Sequence, residues 1–317
     1  MWRRCGRATP FQSPAWLLSW WRAFAPGDVF TLAAWDNGIL VGLAPLYLEH
    51  GIRGRRMLPI GISVSDYHDV LLDDGRASAL LASLADRIAQ ACRSECDCCE
   101  LTELAPDAYA LDLPPASGCR VERQPASPCT VVPIPAGASS LRQILPQRKC
   151  RALRMARHRA LRRGDLSVAL ADQAGAPAMF ESLADLHRRR WESRGEAGVL
   201  ADPRVRQFHR LAIPGMQRAG FLRLWGLDID AETIAVYYGF HHRNRGYAYL
   251  TGFDPDYERE SPGALLLAHA IAEAQHEGAT EVHFLRGREP YKYHWGAIDR
   301  GNERRVFTRE DAYAHAS

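Results

Sequence analysis

Lysine is almost missing from this chain: of 40 basic residues, only Lys149 and Lys292 are lysines. Such a skew reads as a coding bias towards arginine and carries no functional weight by itself. No apolar run reaches the roughly 18 residues that a membrane-crossing helix needs, so no helical membrane insertion is expected. The segment behind Arg3 and Arg4 is broken by Pro10, Pro14, Ser19 and Arg22, which spoils the apolar core of a signal peptide. The eight cysteines, at positions 5, 92, 96, 98, 99, 119, 129 and 150, show no regular framework, and a chain of 317 residues needs none. Reduced thiols and a cytoplasmic location are the expectation. Cys96-x-Cys98-Cys99 lacks a second pair at zinc-site distance and falls where a helix gives way to a strand, so these read as small buried residues and no metal is expected.

What is present is ordinary for a globular protein: 47% apolar and 24% charged residues, at a length that suggests two domains. The stretch 246–296 organises the rest. Tyr247, Tyr249 and Thr251 alternate with Ala248 and Leu250 in the period of a strand, which runs into the turn signature Phe253-Asp254-Pro255-Asp256. Ser261 then stands where a helix N-cap would, Pro262 at the first helical position, and the apolar run through Leu265, Leu266, Leu267 and Ile271 stops at Gly278. Residues 280–285 make a second strand. A helix N-terminus just beyond a strand's carboxyl end presents unpaired N–H groups, which suits a phosphate-bearing ligand.

From the start of the chain, Ser13 and Pro14 open a short helix whose Trp16, Trp20 and Trp21 read as core. Strands over 29–35 and 39–48 flank Asp36-Asn37-Gly38, a strong hairpin signal. Asp66, Tyr67, His68 and Asp69 interrupt the stretch 60–72 like a turn; a helix over 76–92 and a strand over 98–103 follow. Residues 106–135, rich in proline, read as a passage between domains with short extended pieces. Residues 139–163 are helical in composition and Gly164 ends them. Next come a strand (166–171), two helices (177–191 and 203–219), a hairpin (221–227 and 233–240), the strand, helix and strand already described, and a last strand near 304–307. Hairpin, strand, helix, strand has appeared twice, an internal duplication without residue-level repeat. The predicted domains are 1–135, a basic connecting helix at 136–164, and 165–317.

That helix concentrates charge. Residues 148–163 hold eight arginines or lysines and no acid, although the whole chain is only +3. Eight cations suit a phosphate backbone. The plainer account is a solvated helix pairing with acidic surface elsewhere, and no aromatic lies in the segment to stack on bases.

The motifs FQSPAW (11–16), SDYHDVLL (65–72), LHRRRW (186–191), GFDP (252–255), SPGALLL (261–267) and LRGREPYKYHWG (285–296) resemble the CelD/BcsL family. These are proteins of the GNAT acyltransferase superfamily linked to cellulose and exopolysaccharide loci, similar to the FemABX-type transferases with two GNAT-like domains in tandem. The resemblance spans roughly residues 11–300. It implies an α/β (α+β) fold of two GNAT-like domains, each a mixed, mostly antiparallel sheet flanked by helices. It also implies an acyltransferase that takes acetyl-CoA or another acyl-CoA and acetylates an amine or hydroxyl of a sugar or cell-envelope precursor. Aminoacyl-tRNA, the FemABX donor, is the alternative, and a non-catalytic accessory of polysaccharide synthesis is a third reading.

In that frame the pyrophosphate loop, Arg/Gln-x-x-Gly-x-Gly/Ala, falls best on 259–264, so Arg259, Ser261, Gly263 and Ala264 become donor-binding candidates. Pro262 replaces the first glycine and brings no N–H, and Glu258 and Glu260 add negative charge. Acyl transfer needs a base for the acceptor and an acid for the leaving thiolate. Glu289 and Tyr291 are the candidates, with Arg286 or Lys292 binding the anion. Asp66, Tyr67 and Asp69, together with His187 and Trp191, are acceptor-pocket candidates.

Overall fold

The computed structural model describes residues 1–52 and 54–310. The chain divides into two compact units, Met1–Pro128 with Arg300–Ser317, and Cys129–Asp299.

In the first unit, Ser13 Oγ accepts the Trp16 N–H at 3.2 Å and starts α1 (Pro14–Phe24), which buries Trp16 and Trp20. β1 (Asp28–Val29), β2 (Leu32–Asp36) and β3 (Ile39–Ala44) follow. Asn37 and Gly38, at φ of 49° and 77°, make the tight turn that their side chains favour. The strand expected over 39–48 is two: Pro45 breaks it, so that β3 pairs with β2 while β4 (Leu46–Gly51) joins a different sheet. β5 (Gly54–Pro59), β6 (Leu71–Leu72), α2 (Ala77–Ser94), β7 (Cys98–Leu104) and β8 (Cys119–Pro125) complete the N-terminal part.

The second unit runs β9 (Cys129–Pro133), α3 (Leu141–Ile144), α4 (Gln147–Leu161), β10 (Leu166–Leu170), α5 (Ala176–Glu192), α6 (Pro203–Arg218), β11 (Leu222–Ile229), β12 (Glu232–His242), β13 (Arg245–Phe253), α7 (Pro262–His276), β14 (Glu281–Arg286), α8 (Pro290–Tyr293) and β15 (Ile298–Arg300). β16 (Glu303–Arg309) returns to the first unit.

Both units are mixed, mostly antiparallel sheets flanked by helices. Their orders are β1-β4-β5-β7-β16-β8, with a small β2-β3-β6 sheet, and β10-β11-β12-β13-β14-β9-β15. The duplication is visible in the pairing. β4–β5 is antiparallel, α2 crosses over, and β7 returns parallel to β5; β12–β13 is antiparallel, α7 crosses over, and β14 returns parallel to β13.

Several boundaries differ from the sequence reading. β9, expected in the passage between domains, pairs antiparallel with β14. β16, expected to close the second domain, lies between β7 and β8 of the first. Pro146 divides the connecting helix, because the residue before a proline is driven out of helical backbone, and Leu145 has φ −102° and ψ 151°. α4 stops at Leu161; Gly164 lies beyond it, where a side chain would run into the Asp230 carboxylate.

Strand alternation divides the second unit's interior. Tyr237 of β12 packs with Leu266 and Ile271 of α7, Val282 and Phe284 of β14, and Trp295. Its neighbour Tyr238 meets Phe180 of α5 and His209 of α6.

Candidate active site

β13 and β14 pair through only three residues, Arg245↔Glu281, Gly246↔Val282 and Tyr247↔His283. Beyond Tyr247, β13 stays with β12 alone, and beyond His283, β14 pairs only with β9. The two strands therefore part, leaving a wedge flanked by Thr251 and Phe253 on one arm and the 285–295 loop on the other. At the same place Tyr249 is the extra residue of a bulge, since Tyr238 faces Leu250 and the next residue, Gly239, faces Ala248.

The loop after β14 is held by one side chain. Lys292, 3% exposed, directs its ammonium at the carbonyls of Leu285 (3.3 Å), Arg286 (2.6 Å) and Gly287 (3.3 Å), with the Glu289 carboxylate at 3.0 Å. These four partners consume the three donors of the ammonium, so the anion-binding role expected of Lys292 is replaced by a structural one. Leu285 sits at φ 63°, a region a branched side chain avoids, and the ammonium fixes that turn. Glu289 is about half exposed and lies so close to Gly287 that a Cβ there would stand 2.5 Å from its carboxylate. The Tyr291 ring is half exposed, and crowding together with the Glu289 carboxylate raises its pKa, against the pull of Arg190. A phenol held protonated suits a proton donor.

α5 supplies the opposite wall. Gly252 lets the helix rest on β13: a Cβ would stand 2.9 Å from His187 N and from Leu183 O. Trp191 Nε1 donates to His187 Nε2 at 2.9 Å, and His187 is 3% exposed. Arg189 pairs with the buried Asp254 at 2.8 Å, so the LHRRRW and GFDP motifs lock together. Arg190, which the sequence reading passed over, lies 4.5 Å over the Phe253 ring and reaches the Thr251 carbonyl at 3.4 Å. Its Nε is buried without a hydrogen bond. Nothing local distinguishes it from Arg188, which pairs with Asp185 and Glu192 on the surface; only the approach of α5 to the end of β13 does.

Burial, with Arg190 adding to it, holds His187 down to about 4. An imidazole in the unfolded chain titrates near 6.5. The unfolded state therefore takes up the proton first, and the contribution of His187 is complete above pH 6.5 and drains as pH falls towards 4, by at most about 1.4 kcal/mol per pH unit. Urea unfolding of His187→Leu at pH 7, 6 and 5 is expected to be flatter than wild type by that slope; parallel curves would refute it.

At the start of α7, Ser261 occupies the cap position in left-handed backbone (φ 53°, ψ 50°), and its side chain caps nothing, reaching Glu258 O at 3.4 Å instead. The N–H groups of Ala264 and Leu265 both donate to Ser261 O, at 3.0 and 3.1 Å. Pro262 has no N–H. Of the donors expected there, Gly263 N–H is the one left for a ligand, and the absent Cβ of Gly263 would lie 3.2 Å from Phe253. Charge comes from the end of α4 and the turn after it: Arg159 donates to Arg259 O at 2.6 Å, and Arg163 lies 4.6 Å over the Tyr257 ring. Arg286 lends its carbonyl to Lys292.

The remaining candidates belong to the first unit. Both Asp69 oxygens are occupied, by the N–H groups of Val70, Tyr109 and Ala110, each at 2.8 Å. Burial pushes this carboxyl up to about 7 against those bonds. Asp69 is thus a clamp on the 109–111 turn. The Tyr67 carbonyl accepts Gln12 Nε2 at 2.7 Å, and the Asp66 carbonyl accepts Asn302 Nδ2 at 3.3 Å. Trp16 Nε1 donates to Ser65 Oγ at 2.9 Å, so FQSPAW and SDYHDVLL brace each other. Among the described residues no group of three or more His, Cys, Asp or Glu is placed to hold a metal, and no helix is long and apolar enough to cross a membrane.

Residues 147–293, which include the parted strands and the helix between them, match the acetyltransferase (GNAT) domain Acetyltransf_6. The whole chain is similar in fold to the crystal structure of FemX, at 13% identity and a TM-score of 0.67, covering 95% of this chain and 92% of that one. It is likewise similar to L-PGS from Bacillus licheniformis, at 11% identity, TM-score 0.59 and coverage of 96% and 94%. A protein of unknown function from Bacteroides thetaiotaomicron gives 14%, 0.62, 96% and 93%. No curated protein sequence matches the chain.

Proposed function

We propose that this chain is an acyltransferase of the CelD/BcsL kind, carrying an activated acyl group, in the first instance acetyl from acetyl-CoA, to an amine or hydroxyl of a sugar or cell-envelope precursor. The observation that supports this is the wedge between β13 and β14, with the α7 N-terminus beside one arm and the 285–295 loop forming the other. The acceptor's lone pair attacks the acyl carbonyl there, one bond forms to nitrogen or oxygen, and the bond to the leaving sulfur breaks. Glu289 takes the acceptor's proton and Tyr291 gives one to the thiolate. Phosphates on the donor meet Gly263 N–H, Arg159 and Arg163, a cradle with fewer backbone donors than a glycine-rich loop supplies. Calorimetric titration of acetyl-CoA into wild type and Gly263→Pro tests the reading. Binding that is lost in the variant is the expected result; unchanged affinity would sink the cradle.

The second reading is an aminoacyl-tRNA donor, as the FemABX resemblance implies. It is favoured by α4 and its C-cap, where Arg148, Arg151, Arg154, Arg157 and Arg162 form no ion pair among the described residues, so the acidic surface assigned to them in the sequence reading does not meet them. Filter binding of tRNA against salt should lose about 0.7–0.9 from its log–log slope for each contacting arginine changed to glutamine. A slope that does not respond would remove this reading.

A further inference from the structure

A second concavity lies in the same unit, away from the wedge. It is a pocket of about 400 Å³ between α3, α4, α7 and the strands β10 and β11, within the size range of small-molecule sites. None of its lining comes from β13, β14 or the 285–295 loop. Its floor is aliphatic: Leu153 of α4, Leu166 of β10, Leu227 of β11 and Leu265 of α7. Val168 extends that surface to the mouth, where it is 36% exposed.

The polar part is of one sign. Arg142, Arg154 and Arg157 line the pocket, no acidic residue does, and none of the three makes an ion pair or hydrogen bond among the described residues. His269 stands on the α7 wall, edge-on to Trp225 with centroids 4.5 Å apart, and its Nε2 is buried without a hydrogen-bond partner. Open aliphatic surface is unfavourable in water, and guanidinium groups with no acid beside them are ready to pair with an anion, so one kind of molecule answers both features.

We propose that this pocket binds a single-chain amphiphilic anion, its alkyl or acyl chain on the leucine floor and its carboxylate or phosphate head among Arg142, Arg154 and Arg157. No lining residue belongs to the β13–β14 wedge or to the 285–295 loop, so failure of the acyl-CoA site and failure of this pocket are distinguishable. Arg154 and Arg157 also lie on the arginine face invoked for tRNA, and the dependence on an alkyl chain, which tRNA binding lacks, tells those two apart. A free fatty acid and a lipid-linked phosphate share this chemistry; the choice of head group in the probe separates them.

The test is calorimetric titration of the full chain with decanoate, decyl phosphate, decanol and decyltrimethylammonium, all below their micellar concentrations. One or both anions should bind, decanol about tenfold more weakly or worse, and the cation not at all. Tighter decanoate assigns a free acid, tighter decyl phosphate a phosphorylated lipid. Arg154→Glu/Arg157→Glu, at exposed helix positions that folding does not need, should weaken the anions at least tenfold and leave decanol where it was. Val168→Glu should weaken all three chains. The proposal is overturned if neither anion binds, if the cation binds as well as the anions, or if the double variant changes nothing. Sedimentation with phosphatidylglycerol vesicles in the absence of any monomer binding also overturns it, in favour of a membrane surface.

Discussion

Lys292→Met is expected to cost the second unit about 3 kcal/mol, out of the 5–15 that hold a typical domain. Methionine keeps the length of the side chain and its burial but offers no donor. Three carbonyls that share one ammonium, those of Leu285, Arg286 and Gly287, would then face an apolar group. Each loses a charge-assisted bond, and the left-handed turn at Leu285 loses what holds it. Glu289→Gln provides the contrast. Its carboxylate is 53% exposed, and Lys292 keeps its carbonyl partners without it, so the loss should stay below about 1 kcal/mol. Urea unfolding of both variants decides the matter. If the two cost the same, Lys292 is held by its ion pair and its link to the carbonyls is incidental. Glu289→Gln also bears on catalysis, since full turnover in that variant would exclude the base role.

Gly252→Val should be at least as damaging, about 3 kcal/mol or more. The reason is backbone against backbone. The first added carbon would stand 2.9 Å from His187 N and Leu183 O, both on α5, and helix backbone cannot step aside as a flexible side chain does. α5 would be levered off β13, along with Phe180, Leu183 and Leu186, all buried. The wedge would lose its Arg190 wall at the same time, so acyl-donor binding should weaken together with stability. Gly301→Ala serves as the control: nothing lies within 4 Å of its Cβ, and a change within about 0.5 kcal/mol is expected. An unaltered melting midpoint for Gly252→Val would mean that α5 rides higher on the sheet than described.

The motifs carried more of the scaffold than of the chemistry. FQSPAW, SDYHDVLL, LHRRRW and GFDP stood out as motifs, and in all four the most specific contacts join one motif to another: Trp16 to Ser65, Gln12 to Tyr67, Arg189 to Asp254. Asp69 looked like half of a carboxylate pair, and it is spent on three backbone N–H groups. A buried carboxylate that caps a turn and one that receives a substrate are the same letter in the sequence. Two of the three partners of Asp69, Tyr109 and Ala110, lie some 40 residues away, beyond the reach of any spacing argument.

The sequence by itself determined what depends on near neighbours. Asn37-Gly38 turns its hairpin because both residues accept positive φ, Ser13 starts α1, and Gly278 ends α7 at φ 85°. The order of strand, helix and strand from 245 to 286 follows from periodicity in the same way. Tertiary structure decided the rest. β9 and β16 are short strands whose local sequence carries no address; they join sheets through partners more than 140 and more than 170 residues distant, β14 for the one, β7 and β8 for the other. Lys292 became a tie and Arg190 a wall because the fold brought carbonyls to one and an aromatic ring to the other, and hydrogen bonding and burial, which set a side chain's role, are properties of that assembled neighbourhood.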